Sequence, residues 1–88
     1  PQYKLTPQPE YPKELARKRI NGQVHVRIQI DANGIPTGVE IVSSTHPAFA
    51  KAVNEKIMED WRFSPAKSDN TPVASTVTTT INFKYSHQ

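Results

Sequence analysis

Residues 23–30 alternate polar and apolar side chains without a break, and this run constrains the fold more than any other feature of the chain. Val24, Val26, Ile28 and Ile30 point one way. Gln23, His25, Arg27 and Gln29 point the other, which predicts a strand with one wet face. A second alternating run closes the chain, with Val77, Thr79, Ile81, Phe83 and Tyr85 set against Thr76, Thr78, Thr80, Asn82 and Lys84. Strands with one apolar face need a second layer to cover it. The residues between the two runs supply one: Phe49, Ala50, Val53, Ile57 and Trp61 recur at steps of three and four, the stripe of an amphipathic helix.

The remaining elements follow from local signals. Asp31-Ala32-Asn33-Gly34 carries turn chemistry, because Asn-Gly tolerates the positive φ of a tight hairpin. A return strand over residues 38–43 then buries Val39 and Ile41. Thr45 is placed to cap the main helix, with Pro47 in its first turn and Pro65 barring any extension. Such a helix over 47–62 runs about 24 Å. A shorter helix is expected from Pro12 to residue 20, closed by Asn21-Gly22, with Leu15, Ala16 and Ile20 facing a core. Residues 67–72 read as a polar loop. Residues 1–10 carry three prolines without an apolar period, so they read as the extended, polyproline-like end of a proline-rich linker, ahead of a domain at 11–88. The order α-β-β-α-β gives an α+β fold. The crossover helix favours a final strand parallel to the second, which the first strand separates from it. The expected sheet is therefore three-stranded, antiparallel or mixed, in order 2-1-3, with both helices on one face.

At 88 residues the chain is one domain, burying roughly 60–65% of the surface its unfolded form exposes. No cysteine is present, so thiolate and disulfide chemistry are excluded. No apolar run approaches the ~20 residues of a membrane span. The abrupt start inside a proline-rich stretch reads as an excised fragment. His25, His46 and His87 fall on a wet strand face, a helix start and the tail, and nothing pairs them with carboxylates at ligand spacing, so no metal site is expected. Asp31, Asn33 and Gly34 echo a calcium loop faintly, but no Glu closes it in phase and a plain turn accounts for them. No nucleophile elbow or phosphate loop occurs, so neither an enzyme nor a cofactor is expected. The basic segment Lys13, Arg17, Lys18 and Arg19 reads as a solvated helix face. The wet strand faces carry no aromatic platform for stacked bases, which argues against nucleic acid.

Taken in order, Tyr11-Pro12, Gly22-Gln23-Val24-His25-Val26, Asn33-Gly34, Trp61-Arg62-Phe63-Ser64-Pro65-Ala66 and Ile81-Asn82-Phe83 resemble the C-terminal domain of the TonB family, over residues 7–85. The resemblance implies a periplasmic domain of an inner-membrane-anchored energy transducer that works with ExbB and ExbD through a segment outside this chain. Such a domain grips outer-membrane receptors that import siderophores, haem or cobalamin. The receptor's TonB box adds a strand beside the last strand, and a Gln-Pro-x-Tyr-Pro stretch, here Gln8-Pro9-Glu10-Tyr11-Pro12, also touches the receptor and its plug.

The residues point the same way by themselves. The final strand, read as about twelve residues, exceeds the usual five or six. It has no proline and a single charge, Lys84, so it lacks the usual protections of an exposed edge. The partner-binding set is then Gln8, Pro9 and Tyr11 with Val77, Thr78, Thr79, Thr80, Ile81, Asn82, Phe83, Lys84 and Tyr85. Alternative readings are an edge covered by the tail or by a weak homodimer, a TolA-like module using the same edge, and a small basic RNA-binding domain. Removal of residues 1–9 is expected to spare the core.

Overall fold

A computed structural model of the chain describes residues 2–85, with side chains from Lys4 onward. The expectation for His87 lies outside the described residues. In chain order the elements are β1 (Gln2–Leu5), α1 (Lys13–Arg17), β2 (Gly22–Ile30), β3 (Pro36–Ser44), α2 (Pro47–Asp60), β4 (Arg62–Ser64), β5 (Ala66–Ser68), β6 (Thr71–Val73) and β7 (Ser75–Phe83). The main sheet has the order β3-β2-β7, both pairings antiparallel, which is the order and direction expected. β2 lies in the centre because its alternation is the most regular: Val24, Val26, Ile28 and Ile30 are at most 1% exposed. They share one core with Leu15 of α1, Phe49, Val53 and Ile57 of α2, Trp61, Phe63, Ile81 and Phe83. Val39 and Ile41, expected to be buried, are half-buried against it.

The β2–β3 turn is held from two sides. Asp31 Oδ1 accepts the N–H of Asn33 at 2.8 Å and of Ile35 at 3.0 Å, the local bonding that suits Asp to turns. Gly34 takes the positive φ of 83°, and its carbonyl accepts the N–H of Phe63 in β4 at 2.8 Å. A Cβ there would sit 1.9 Å from the Phe63 carbonyl oxygen, so only glycine fits.

The helices depart from expectation at their ends. His46, not Thr45, caps α2, its Nδ1 accepting the Ala48 N–H at 3.1 Å. Thr45 instead extends the β3 ladder, donating its N–H to the Gln23 carbonyl at 3.1 Å. α2 stops at Asp60, short of residue 62, because Trp61 takes an extended backbone, with ψ 140°. Its ring is buried, and its Nε1 donates to the Pro7 carbonyl at 2.9 Å. α1 is only five residues long. Its end is a Schellman closure: Arg19 N–H bonds Ala16 O at 3.0 Å and Ile20 N–H bonds Leu15 O at 2.9 Å. The closing residue, Arg19, adopts φ 56°, which turns the chain and leaves Ile20 36% exposed rather than in the core.

Three segments read as irregular or overlong are also revised. Residues 2–5 are not free extended chain, since β1 pairs antiparallel with β4. The polar loop is a hairpin, β5 against β6, whose two turn residues Asp69 and Asn70 have φ 50° and 67°. These are the positive values of a type I′ turn. β7 is nine residues long rather than about twelve; Lys84 and Tyr85 lie beyond it, and the Tyr85 N–H is taken by Asn21 Oδ1 at 2.8 Å.

Candidate functional site: the open edge of the last strand

β2 and β7 pair over nine consecutive residues, from Gly22 opposite Phe83 to Ile30 opposite Ser75, with no break in register. The phase of that ladder follows from Gln23. Its N–H donates to Thr45 Oγ1 at 3.1 Å and its carbonyl accepts the Thr45 N–H, so both groups face the β3 side. Asn82, the residue opposite Gln23, cannot exchange backbone bonds with it. Its N–H and carbonyl therefore point away from β2, and by alternation so do those of Thr76, Thr78 and Thr80. Two contacts agree with this phase. Gln29, in register with Gln23, offers its carbonyl to Thr37 Oγ1 on the β3 side at 3.3 Å. The Asn82 carbonyl accepts the side chain of Gln8 at 3.3 Å. Among the described residues no strand pairs with this edge.

The sheet's other edge is built differently. β3 begins at Pro36, carries Glu40, and loses register with β2 twice, between His25 and Val26 and between Gln29 and Ile30. Bulges, proline and charge all blunt an edge against strand addition. Ser75–Phe83 contains none of them.

The structure brings part of the expected N-terminal stretch to the open edge. Thr6, Gln8 and Trp61 face Thr79, Thr80, Ile81 and Asn82 across a groove of about 390 Å³. Gln8 is exposed there, but Pro9 is buried. Tyr11 packs inward, its ring edge-on to Phe49 and to Phe83 at 5.6 Å each, and its hydroxyl bonds the Ile20 carbonyl. Pro9 and Tyr11 thus anchor the stretch to the core and leave Gln8 at the edge. Of the strand residues, Val77, Thr79, Ile81 and Phe83 turn their side chains inward, with Ile81 and Phe83 buried. Thr78, Thr80, Asn82 and Lys84 are exposed, and Tyr85 is half-buried. Thr6 carried no signal in the sequence, and Trp61 was read as core only.

Other polar groups have local duties. His25 Nδ1 lies 2.7 Å from Thr80 Oγ1 on the wet face, where Arg27 and Glu40 pair at 2.8 Å. A larger hollow of about 530 Å³ between the start of α1 and α2 has Tyr11, Pro12, Ala48 and Ala52 among its lining and charges of both signs around it. Among the described residues no group of three or more His, Asp or Glu could hold a metal ion, and no helix is long and apolar enough to cross a membrane.

Comparison with known proteins agrees with this architecture. Residues 7–85 match the family of Gram-negative bacterial TonB protein C-terminal domains. The chain is 36% identical over 78 residues to Protein TonB of Vibrio cholerae, covering 88% of this chain and 32% of that protein. It is 29% identical over 82 residues to Protein tonB2 of Pseudomonas aeruginosa, covering 93% of this chain and 30% of that protein. The chain thus spans about a third of the length of these relatives. The solution structure of the Pseudomonas aeruginosa TonB C-terminal domain superposes with a TM-score of 0.81 at 26% identity, covering 99% of this chain and 90% of that one. With the motifs, the sheet order and the fold in agreement, the chain belongs to the Gram-negative bacterial TonB protein C-terminal family.

Proposed function

We propose that this chain is the periplasmic, receptor-gripping end of an energy transducer, and that it holds outer-membrane transporters by adding one of their strands to the edge of β7. The single observation that carries the reading is the asymmetry of the two edges: β3 is bulged and charged, while β7 offers four outward-facing residues in unbroken register. The docked segment is the receptor's TonB box, and alternate side chains of that strand enter the groove between Gln8, Trp61 and Ile81. The membrane anchor and the contacts with ExbB and ExbD belong to sequence outside this chain, and the cargo is a siderophore, haem or cobalamin. The domain does no chemistry and needs no cofactor; it transmits force.

Magnitudes define how tight the grip is. Four or five backbone hydrogen bonds contribute about 1 kcal/mol each, against an association cost of ~4 kcal/mol or more. Reaching a micromolar Kd, about −8 kcal/mol, takes side-chain contacts in the groove and at Gln8. A weak, reversible hold suits a part that must engage and release in cycles. The reading is tested by titrating the domain with peptides from receptor N-termini and following amide chemical shifts. Shifts centred on Thr76 to Asn82 are expected; shifts centred on Val39 to Val42 of β3 would move the site to the other edge.

A further inference from the structure

Near the end of β7 the chain carries four cations in two segments, residues 17–19 and Lys84. Arg17 closes α1, and Lys18 and Arg19 follow it directly. Lys84 follows β7, whose end is held beside them by Gly22 opposite Phe83 and by the Asn21 bond to the Tyr85 N–H. All four are exposed. The ion pairs found among the described residues, Arg27–Glu40 and Lys56–Asp60, engage none of the four. Glu14 shares a shallow groove with Arg17 and Lys18.

A cation near the carboxyl end of a helix stabilises it, which accounts for Arg17. It does not account for Arg19. That residue occupies the closing position of a Schellman motif with φ 56°, where glycine is the usual and less strained occupant. Its guanidinium lies over the ring of Tyr85, 5.7 Å from the centroid. Strain kept at one residue points to a use for its side chain. A guanidinium braced on an aromatic ring can still offer N–H groups to a carboxylate.

We propose that Arg17, Lys18, Arg19 and Lys84 form a carboxylate-recognising corner that reads an acidic segment of the docked partner just past the Asn82 end of the β7 edge. The inference rests on the strand-docking reading and adds a charge rule to it. Asn82 to Tyr85 is three residues, roughly 10 Å of extended chain. The acidic residues therefore lie two to four positions beyond the partner residue that sits opposite Asn82. A peptide fits the corner better than a lipid surface does, because the corner continues the docking edge, and a strand leaving that edge is already within reach of it.

The test uses four synthetic peptides that share a Thr-Val alternating core and carry Asp-Asp or Asn-Asn at one end or the other. Each is titrated by amide shifts into the wild-type domain and into the triple variant Arg17→Gln, Lys18→Gln, Arg19→Gly. Glycine suits the backbone at residue 19, so the variant keeps its fold, and unchanged shifts in β2 confirm it. For the acidic end that reaches Tyr85, the wild type should bind the Asp peptide about fivefold more tightly than its Asn partner at low ionic strength. The gap should shrink with added salt and fall in the triple variant to the small remainder that Lys84 alone supports, while affinity for the Asn peptide holds. Equal binding of all four peptides along β7 overturns the charge rule and leaves strand docking standing. No shift on β7 with any peptide removes the docking edge and the charge rule together. Shifts at Arg19 and Tyr85 on adding phosphatidylglycerol vesicles, without any preference among the peptides, assign the corner to anionic lipid instead.

Discussion

Trp61 shows how one side chain can serve both fold and site. Its ring is 5% exposed, yet its Nε1 reaches out to the Pro7 carbonyl and its edge lines the groove beside β7. Trp61→Ala should destabilise the domain by about 3–5 kcal/mol, measured by thermal or urea unfolding. Trp61→Phe keeps most of the apolar volume and loses the hydrogen bond, so a cost nearer 1 kcal/mol is expected. Unchanged stability in Trp61→Ala with lost partner binding would make the residue a surface contact only. Gly34 is the second residue on which the fold turns. Gly34→Ala forces a Cβ onto the Phe63 carbonyl at a positive φ. It should cost about 2–4 kcal/mol, more than an ordinary glycine-to-alanine change in a turn. The first of these residues was legible as part of a helical stripe. Its partner at Pro7 was not, because a contact between residues so far apart leaves no local period.

At the scale of elements, period carried the reading and pairing across the chain limited it. The alternation of 23–30 and 77–85 sufficed to place β2 and β7, and the crossover rule to order the sheet. β1 and β4 were missed because four and three residues are too short to show a period, and their pairing joins distant parts of the chain. The β5–β6 hairpin was missed because its strands are polar, although Asp69-Asn70 was the signal for its turn. These misses change one expectation. Removing residues 1–9 strips β1 from β4, takes the Pro7 partner from Trp61 and uncovers the site of buried Pro9. The truncated domain should lose roughly 2–3 kcal/mol of stability in denaturant unfolding rather than remain as stable as the whole. If its unfolding midpoint does not move, the N-terminal stretch contributes nothing to the fold.

The phase of β7 now supports a proline scan that the sequence could not direct. Thr78 and Thr80 point their N–H groups outward, while Thr79 bonds β2. Proline is tolerated where an edge strand's N–H faces solvent and breaks a ladder where it does not. Thr80→Pro should therefore fold and bind a receptor peptide about fivefold more weakly, for the loss of roughly 1 kcal/mol. Thr79→Pro should unfold or strongly destabilise the domain. The reverse pattern would mean that the phase is shifted by one residue.

Across the whole molecule, the sheet is closed on one side by its helices, blunted on one edge by bulges and left regular on the other. The molecule is 49 Å long and only 17 Å thick, so the open edge is a large feature of a small body. Composition set limits early: the absence of cysteine excluded thiolate and disulfide chemistry, and the net charge is a mild +3. The edge was legible as a long strand without protection, but the features that single it out, an unbroken register and a bulged opposite edge, exist only in three dimensions.

A partner strand that completes the edge of β7 must protect its outward amides, and hydrogen exchange of the individual β7 amides reads that protection. In the free domain Val77, Thr79, Ile81 and Phe83, bonded to β2, should exchange slowly, and Thr76, Thr78, Thr80 and Asn82 should exchange fast. On adding a receptor TonB-box peptide, the outward set should slow in step with occupancy while the inward set changes little. Outward amides that stay fast in the complex, or protection that appears along β3 instead, would contradict strand addition at this edge.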